Sequence, residues 1–220
     1  MKKIVQGLMA FGCTLFVSAT VGSAKTDFVT TTAPIEVGTV VIPKNTRLSF
    51  IDTSQVANRT VANIDWSALS YTLRQQKAGD SLQLPYSDHL RASKDTAADR
   101  LPWFYQGRYV GSEARQLARK MLKVTSDQYL EYYKSHDAQQ KPISMTKITK
   151  SIKKGKFTFL YAKTNMAKLP DKKVRSTGNY RYRLTIRDNG TKTDPASQQK
   201  YSSFSVGRVA NKFFVPEGRA

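Results

Sequence analysis

The stretch on which the fold class depends is SEARQLARKMLKVTSDQYLEYYKSH, residues 112–136. Five apolar residues of its first half fall at helical spacing: Ala114, Leu117, Ala118, Met121 and Leu122. Ser112 is placed as an N-cap for that helix. In the second half, the sequence TSDQ at residues 125–128 matches a capping box. The stretch therefore predicts two helices, residues 112–123 and 125–136, that pack as a helical hairpin.

The flanks of this stretch predict mainly β-strands. Upstream, residues 35–42 and 46–51 are β-branched runs separated by a short turn, which predicts a hairpin. Downstream, residues 144–154 predict a short basic helix that ends at Gly155. Alternating apolar residues then predict four strands, at residues 157–161, 180–187, 201–206 and 212–215. The predicted class is α+β, with an N-terminal β-hairpin region, a central helical hairpin and a C-terminal antiparallel sheet.

The predicted domain organisation is simple. Residues 1–24 predict a signal peptide, and residues 25–34 an extended lead-in that is rich in Thr. Residues 35–220 predict one α+β domain, although a chain of this length can bury either one ordinary core or two small ones. The loop at residues 137–142 is a candidate sub-boundary inside that domain.

The N-terminus has the three-part pattern of a secretory signal peptide. Two lysines, an apolar stretch and the small residues Gly22-Ser23-Ala24 follow one another. Cleavage after Ala24 also removes Cys13, the single cysteine of the chain. An uncleaved anchor and a lipoprotein signal at Cys13 are the alternatives. We expect a secreted bacterial protein whose retention at the cell wall, if it occurs, is non-covalent.

Positive charge is concentrated in the second half of the chain. The formal net charge is +20 at pH 7, and residues 141–187 alone carry fourteen basic residues against one acidic residue, Asp171. Such a segment creates a strongly positive field that attracts anionic partners.

The predicted strand at residues 180–187 concentrates part of this charge on one face. Its period of two places Tyr180, Tyr182, Leu184 and Ile186 on one side. The other side carries three guanidinium groups, those of Arg181, Arg183 and Arg187. Guanidinium groups bind phosphates and carboxylates bidentately, so we predict a polyanion-binding site here. The alternative is an ordinary solvated face.

Two further groups of basic residues are candidates for the same site. Lys150, Lys153 and Lys154 form a second cluster upstream of the strand. Lys172, Lys173 and Arg175 extend the patch if their loop folds alongside it.

Catalytic and metal-binding motifs are absent from the sequence. His89 and His136 have no second ligand at metal spacing, and we expect no metal and no cofactor. Three Ser-x-x-Lys matches lack the companion motifs of penicillin-binding proteins. The glutamates available to a wall-acting hydrolase are Glu36, Glu113, Glu131 and Glu217. These observations favour a non-enzymatic protein.

The aromatic segment at residues 101–110 supports another interpretation. Alternation places Trp103 and Tyr105 on one face and Phe104 on the other. Core packing is the simpler role, but an exposed Trp103 and Tyr105 would suit a glycan or a protein partner.

Together these features predict an exported, non-enzymatic, strongly basic protein. Its C-terminal half binds an anionic cell-wall polymer, a membrane surface or another extracellular polyanion, and it has no dedicated nucleic-acid motif. The alternatives are a small cell-wall-acting hydrolase and an adhesin or partner-binding module that uses Trp103 and Tyr105.

Overall fold

The computed structural model describes residues 27–208, 210 and 212–217, so the predicted signal peptide at residues 1–24 lies outside the described part. The first part of the chain forms seven strands: β1 (Asp27–Thr31), β2 (Ile35–Val37), β3 (Val40–Ile42), β4 (Arg47–Val56), β5 (Arg59–Asp65), β6 (Ser81–Pro85) and β7 (Leu90–Ser93). One short helix, α1 (Tyr71–Arg74), lies between β5 and β6.

The second part of the chain forms nine strands: β8 (Phe104–Gln106), β9 (Lys120–Val124), β10 (Tyr129–Tyr133), β11 (Ser144–Lys154), β12 (Phe157–Ala162), β13 (Lys172–Lys173), β14 (Tyr182–Thr193), β15 (Lys200–Val206) and β16 (Lys212–Pro216). A short 3₁₀ helix, Gly111–Glu113, lies between β8 and β9.

The N-terminal strands form an antiparallel sheet in the order β6-β5-β4-β1-β7. One face of this sheet is buried, because apolar side chains alternate with exposed polar ones along β5 and β6. Trp66 and Leu73 pack on that face together with the separate β2–β3 hairpin. The predicted lead-in is therefore structured from Asp27 onward, since β1 pairs with β4 on one side and β7 on the other.

The C-terminal strands form a closed eight-stranded barrel. The sheet runs in the order β12-β11-β10-β9-β8-β16-β15-β14, and pairing between β12 and β14 closes it. Strand β13 pairs with β14 at Arg183 and Tyr182. Closure pairs the backbone N–H and C=O groups of the two edge strands, so the barrel has no open edge.

Alternation along each barrel strand fills the interior with apolar side chains. Leu160, Leu184 and Phe104 point inward, and each is fully buried. Phe104 and Phe204 meet edge to face there, with 4.9 Å between ring centroids. The barrel interior is thus a packed core.

Described residues cover one side of the outside of the barrel. Tyr105, Met121, Tyr133 and Phe214 point outward from β8, β9, β10 and β16, and Ala114 and Ala118 of the segment before β9 pack over them. The segment between β5 and α1 contacts the turn between β9 and β10, where Ser126 N donates a hydrogen bond to Ala68 O over 2.8 Å. In the described part of the chain, the outward side chains of β11, β12 and β14 are half-buried or exposed, so a binding surface can form there.

The predicted helical hairpin at residues 112–136 is wrong. The structure has the 3₁₀ helix, an irregular segment and then the β9–β10 hairpin. The apparent capping box is the turn of that hairpin: the Thr125 side chain accepts a hydrogen bond from Tyr129 N, and Gln128 has φ +65°. Thr and Asp are as common in such turns as they are at helix N-termini. The tyrosines that follow favour strands.

The predicted helix at residues 144–154 is also wrong, since this segment is the long strand β11. Its apolar residues fit a helical spacing, but Thr146 and Ile148 also alternate with exposed residues and point inward. Its β-branched residues favour the extended conformation. The protein is therefore nearly all β, and the α+β class with a central helical hairpin is overturned.

The loop at residues 137–142 connects β10 to β11, which are neighbouring strands of the barrel. The chain passes from the sheet to the barrel between β7 and β8. Among the described residues, no helix has the length and apolar character needed to cross a membrane.

Candidate anion-binding surface

The side of the barrel formed by β11, β12 and β14 carries a row of aromatic side chains flanked by two pairs of cations. Phe157, Phe159 and Tyr161 of β12 point outward, because Thr158, Leu160 and Ala162 point into the barrel. Register pairs them with residues of the two neighbouring strands that share the same side of the sheet. Seven side chains define this surface, which we call the cationic face: Lys150, Lys154, Phe157, Phe159, Tyr161, Arg183 and Arg187.

Register fixes the rows of the cationic face. On the β11 side, Lys150 lies opposite Tyr161 and Lys154 opposite Phe157. On the β14 side, Arg183 lies opposite Tyr161 and Arg187 opposite Phe157. Each end of the aromatic row is therefore flanked by one lysine and one arginine.

The arginines of the cationic face lie over its aromatic rings. The guanidinium carbon of Arg183 is 5.2 Å from the centre of the Phe159 ring, and that of Arg187 is 6.0 Å from the centre of the Phe157 ring. The rings of Phe157 and Phe159 stack on each other with 6.2 Å between centroids. Cation–π attraction of this kind stabilises a guanidinium group in one position without neutralising its charge.

The charge on this surface is not balanced by carboxylates. Among the described residues, none of these cations lies within 4.0 Å of a carboxylate oxygen. The Nε atoms of Arg181, Arg183 and Arg187 are shielded from solvent and make no hydrogen bond to a described residue. An incoming anion therefore meets the Nη end of each guanidinium group.

The three lysines predicted as a cluster at residues 150–154 lie on different sides of strand β11. Lys150 and Lys154 point to the cationic face, but Lys153 lies opposite the buried Thr158 and points to the other side of the sheet. There it lines a cavity with Asp95 and Arg100. The structure thus brings two of the three lysines together with the arginines.

The remaining predicted basic residues flank the cationic face. Lys172 of β13 lies opposite Arg183, so its side chain shares the outer side of the sheet. Lys173 lies opposite Tyr182 and belongs to the other side. Arg181 precedes β14, and Arg175 follows β13, where the amide of Arg175 donates to Arg181 O over 3.3 Å.

The aromatic row was missed as a site component by sequence reasoning. The segment FTFLYA of β12 is apolar at nearly every position, so neither face is marked as the surface. Tyr180 was assigned to the core side of its strand, yet the strand begins at Tyr182. The Tyr180 ring instead packs against Tyr161 at 6.2 Å, with Lys150 Nζ 5.4 Å from its centre. The signal that was available is the density of aromatic residues inside the most basic segment.

Trp103 and Tyr105 lie elsewhere, on the covered side of the barrel. Phe104 points into the core, whereas Trp103 is 39% exposed and Tyr105 is buried. Both residues line a cleft of about 760 Å³ together with Pro102, Arg115 and Pro216. The Tyr105 ring stacks on Phe214, and the Arg115 guanidinium carbon lies 5.6 Å from the Tyr105 ring centre.

A buried lysine lies behind Trp103. Lys123 is 1% exposed, and its ammonium donates to Ser67 O over 2.6 Å and lies 4.5 Å from the Trp103 ring centre. Burial, reinforced by the nearby charge of Arg74, lowers the pKa of Lys123 to about 8. Burial at this position therefore favours the neutral form of the amine.

The carboxylates considered for hydrolysis are separated. Glu36 and Glu113 are exposed on different elements, and Glu217 accepts a hydrogen bond from Thr191 Oγ1 over 2.6 Å at the end of the barrel. Glu131 is fully buried and bound to Arg74. Within the described part of the chain, no three His, Cys, Asp or Glu side chains converge as metal ligands do. His89 and His136 are both exposed.

Comparison with known proteins gives no relative: no protein-family model, no curated protein and no solved structure matches this chain.

Proposed function

We propose that this protein is exported, has no enzymatic activity and binds an anionic polymer of the cell envelope through the cationic face. The observation that carries the proposal is the alignment of Arg183, Arg187, Lys150 and Lys154 along an aromatic row, with no carboxylate oxygen of a described residue within 4.0 Å of them. Cell-wall phosphate polymers such as teichoic acids are the favoured ligand, because guanidinium groups bind phosphates bidentately.

A polymer suits this surface better than a small anion does. Arg183 and Arg187 are four positions apart on one strand, a spacing of about 13 Å at 3.3 Å per residue. Lys150 and Lys154 repeat that separation on β11, on the other side of the aromatic row. A single phosphate cannot contact both ends, whereas a chain of phosphates contacts several cations at once and gains from multivalency.

The proposal that the protein is exported rests on the sequence of residues 1–24. A protein released outside the cell that holds a teichoic acid through ionic contacts would be retained at the wall without a covalent link. Such retention depends on salt, because ions compete for both charged partners.

The experiment that tests the proposal is a binding series on isolated cell walls, with and without their teichoic acids, across a range of salt concentrations. Replacing Arg181, Arg183 and Arg187 with Gln should weaken binding at low salt by roughly tenfold or more, a loss of about 1.4 kcal/mol. The salt dependence should flatten as well, because fewer counterions are exchanged.

The matched control removes the same charge from exposed arginines elsewhere, with Arg59, Arg91 and Arg108 changed to Gln. Net charge is then equal in the two variants, and only the position of the charge differs. A second pair compares Lys154→Gln with Lys153→Gln, which lie on opposite sides of β11. Equal losses of binding affinity in each pair would overturn the proposal that the cationic face binds the polymer. The binding would then depend only on the net charge of the protein.

A further inference from the structure

The cleft beside Trp103 continues into a polar pocket between the sheet and the barrel. The cleft measures about 760 Å³ and the pocket about 190 Å³. Asp99, Leu101 and Trp103 line both, so the two spaces adjoin at the indole ring. This site lies on the covered side of the barrel and is independent of the cationic face.

The wide part of the cleft is built for a flat apolar contact. Its walls include Trp103, Pro102, Val215 and Pro216, and Tyr105 lies among them. The cleft volume falls in the usual range for ligand sites, about 300–1,000 Å³. Lys123 Nζ lies 4.5 Å from the centre of the Trp103 ring and contacts the ring from the protein interior. Trp103 itself is 39% exposed. A large aromatic side chain is thus held in place at the mouth of a pocket.

The narrow part is polar in composition. Hydroxyl side chains and two carboxylates line it: Ser49, Ser67, Thr125, Ser126, Asp65 and Asp99. The Lys123 ammonium, with one hydrogen bond to Ser67 O, is also part of this lining. An ammonium has three N–H donors, so it has capacity for a further acceptor.

We propose that this cleft binds a sugar chain, with one ring stacked on Trp103 and the hydroxyl groups of a neighbouring unit hydrogen-bonded in the polar pocket. A sugar ring has an apolar C–H face that suits an indole, and hydroxyl groups both donate and accept. A proline-rich peptide also fits grooves lined by Trp, Tyr and Pro. It has no side-chain donors, however, to use a pocket lined by hydroxyls, carboxylates and an ammonium group.

The two tryptophans of the chain make the proposal measurable by fluorescence. Trp66 is fully buried and Trp103 is exposed, so a soluble quencher such as acrylamide reaches Trp103 selectively. Oligomers of N-acetylglucosamine and of glucose are the probes. We expect at least one of the two series to shield Trp103 from acrylamide in a saturable way, and longer oligomers to bind more tightly than the monosaccharide.

Two variants link this shielding to the cleft. Trp103→Ala should weaken oligomer binding, measured by calorimetry, by roughly tenfold, the effect of losing about 1.4 kcal/mol of stacking and burial. Trp103→Phe should retain part of the affinity, which guards against loss through misfolding. Tyr86→Ala is the matched control, because Tyr86 is an exposed aromatic residue that does not line the cleft.

The proposal is overturned if neither oligomer series shields Trp103 or binds by calorimetry. It is also overturned if oligomers bind equally well to the protein and to Trp103→Ala. Shielding of Trp103 by a polyproline peptide, with no effect of either sugar series, would assign the cleft to a protein partner instead.

Discussion

Arg74 of helix α1 and Glu131 of strand β10 form a buried ion pair across the junction between the sheet and the barrel. Both Nη atoms lie 3.3 Å from Glu131 Oε2, and the two side chains are 6% and 0% exposed. Glu131 also accepts hydrogen bonds from Tyr71 N and Tyr133 Oη. Burial and the Glu131 charge raise the pKa of Tyr133, so this phenol remains a neutral donor.

The first prediction is that Glu131→Gln destabilises the protein strongly. The substitution keeps the shape of the side chain but leaves the Arg74 guanidinium buried without a counter-charge, which costs about 3 kcal/mol or more. Chemical denaturation measures the change, with Glu113→Gln at an exposed position as the control. A loss below about 1 kcal/mol would show that the junction tolerates an unpaired charge.

The second prediction concerns the pH dependence of stability. The pKa of Lys123 is about 8 in the folded protein, whereas that of a solvated lysine side chain is 10.5, so the unfolded chain binds the proton more tightly. Stability therefore rises as pH increases from about 8 toward 10.5, relative to a variant that lacks the amine. Between about pH 7 and pH 9.5, we expect the protein to gain on the order of 1–2 kcal/mol over Lys123→Met.

Denaturation curves of the protein and of Lys123→Met at several pH values test this. The upper limit stays below pH 10, where tyrosines begin to ionise. Parallel curves would mean that Lys123 remains charged throughout the range. Lys123→Met also removes the contacts to Ser67 O and Trp103, so the difference between pH values is informative and the absolute stability is not.

The third prediction concerns the aromatic row of the cationic face. Phe159→Leu keeps an apolar side chain but removes the ring under the Arg183 guanidinium. Binding to a phosphate polymer should weaken by about threefold, which corresponds to the 0.5–1 kcal/mol of an exposed cation–π contact. The salt dependence should not change, because no charge is removed.

Tyr86→Leu is the control for Phe159→Leu, because Tyr86 is an exposed aromatic residue that directly follows β6 of the N-terminal sheet. If Phe159→Leu lost affinity and salt dependence together, the ring would be needed for the fold of the surface. An unchanged affinity would show that the Phe159 ring is not needed to position the Arg183 guanidinium group.

Four strands of the C-terminal part, β12, β14, β15 and β16, were predicted because their period of two is clear, as at Leu184 and Ile186. The β9–β10 hairpin was predicted as helices because Ala114 and Ala118, which cover the barrel, precede Met121 at helical spacing. Their burial comes from contacts with distant strands, and local spacing contains no information about such contacts. Tertiary packing thus decided between two patterns that the sequence supports equally.

The candidate site was predictable only in part. Alternation alone places Arg183 and Arg187 on one side of a strand. It does not show that Lys154 joins them while Lys153 points away, because that depends on the register of β11 against β12 and on the irregularity after Ile148. The cleft at Trp103 was suggested by aromatic density, but its polar extension requires Lys123 and Asp65, which come from different parts of the chain.

Closure of the barrel also constrains the order of folding. Strand β16, the last strand of the described residues, pairs with β8, so Phe214 can reach Tyr105 only after β9 to β15 have been made. Pairing between such distant residues is slow, because loop-closure entropy is lost before the contact forms. The barrel cannot close on a partly synthesised chain. The export that we propose requires a chain that stays unfolded until it has crossed the membrane, and the late pairing of β16 would provide that delay.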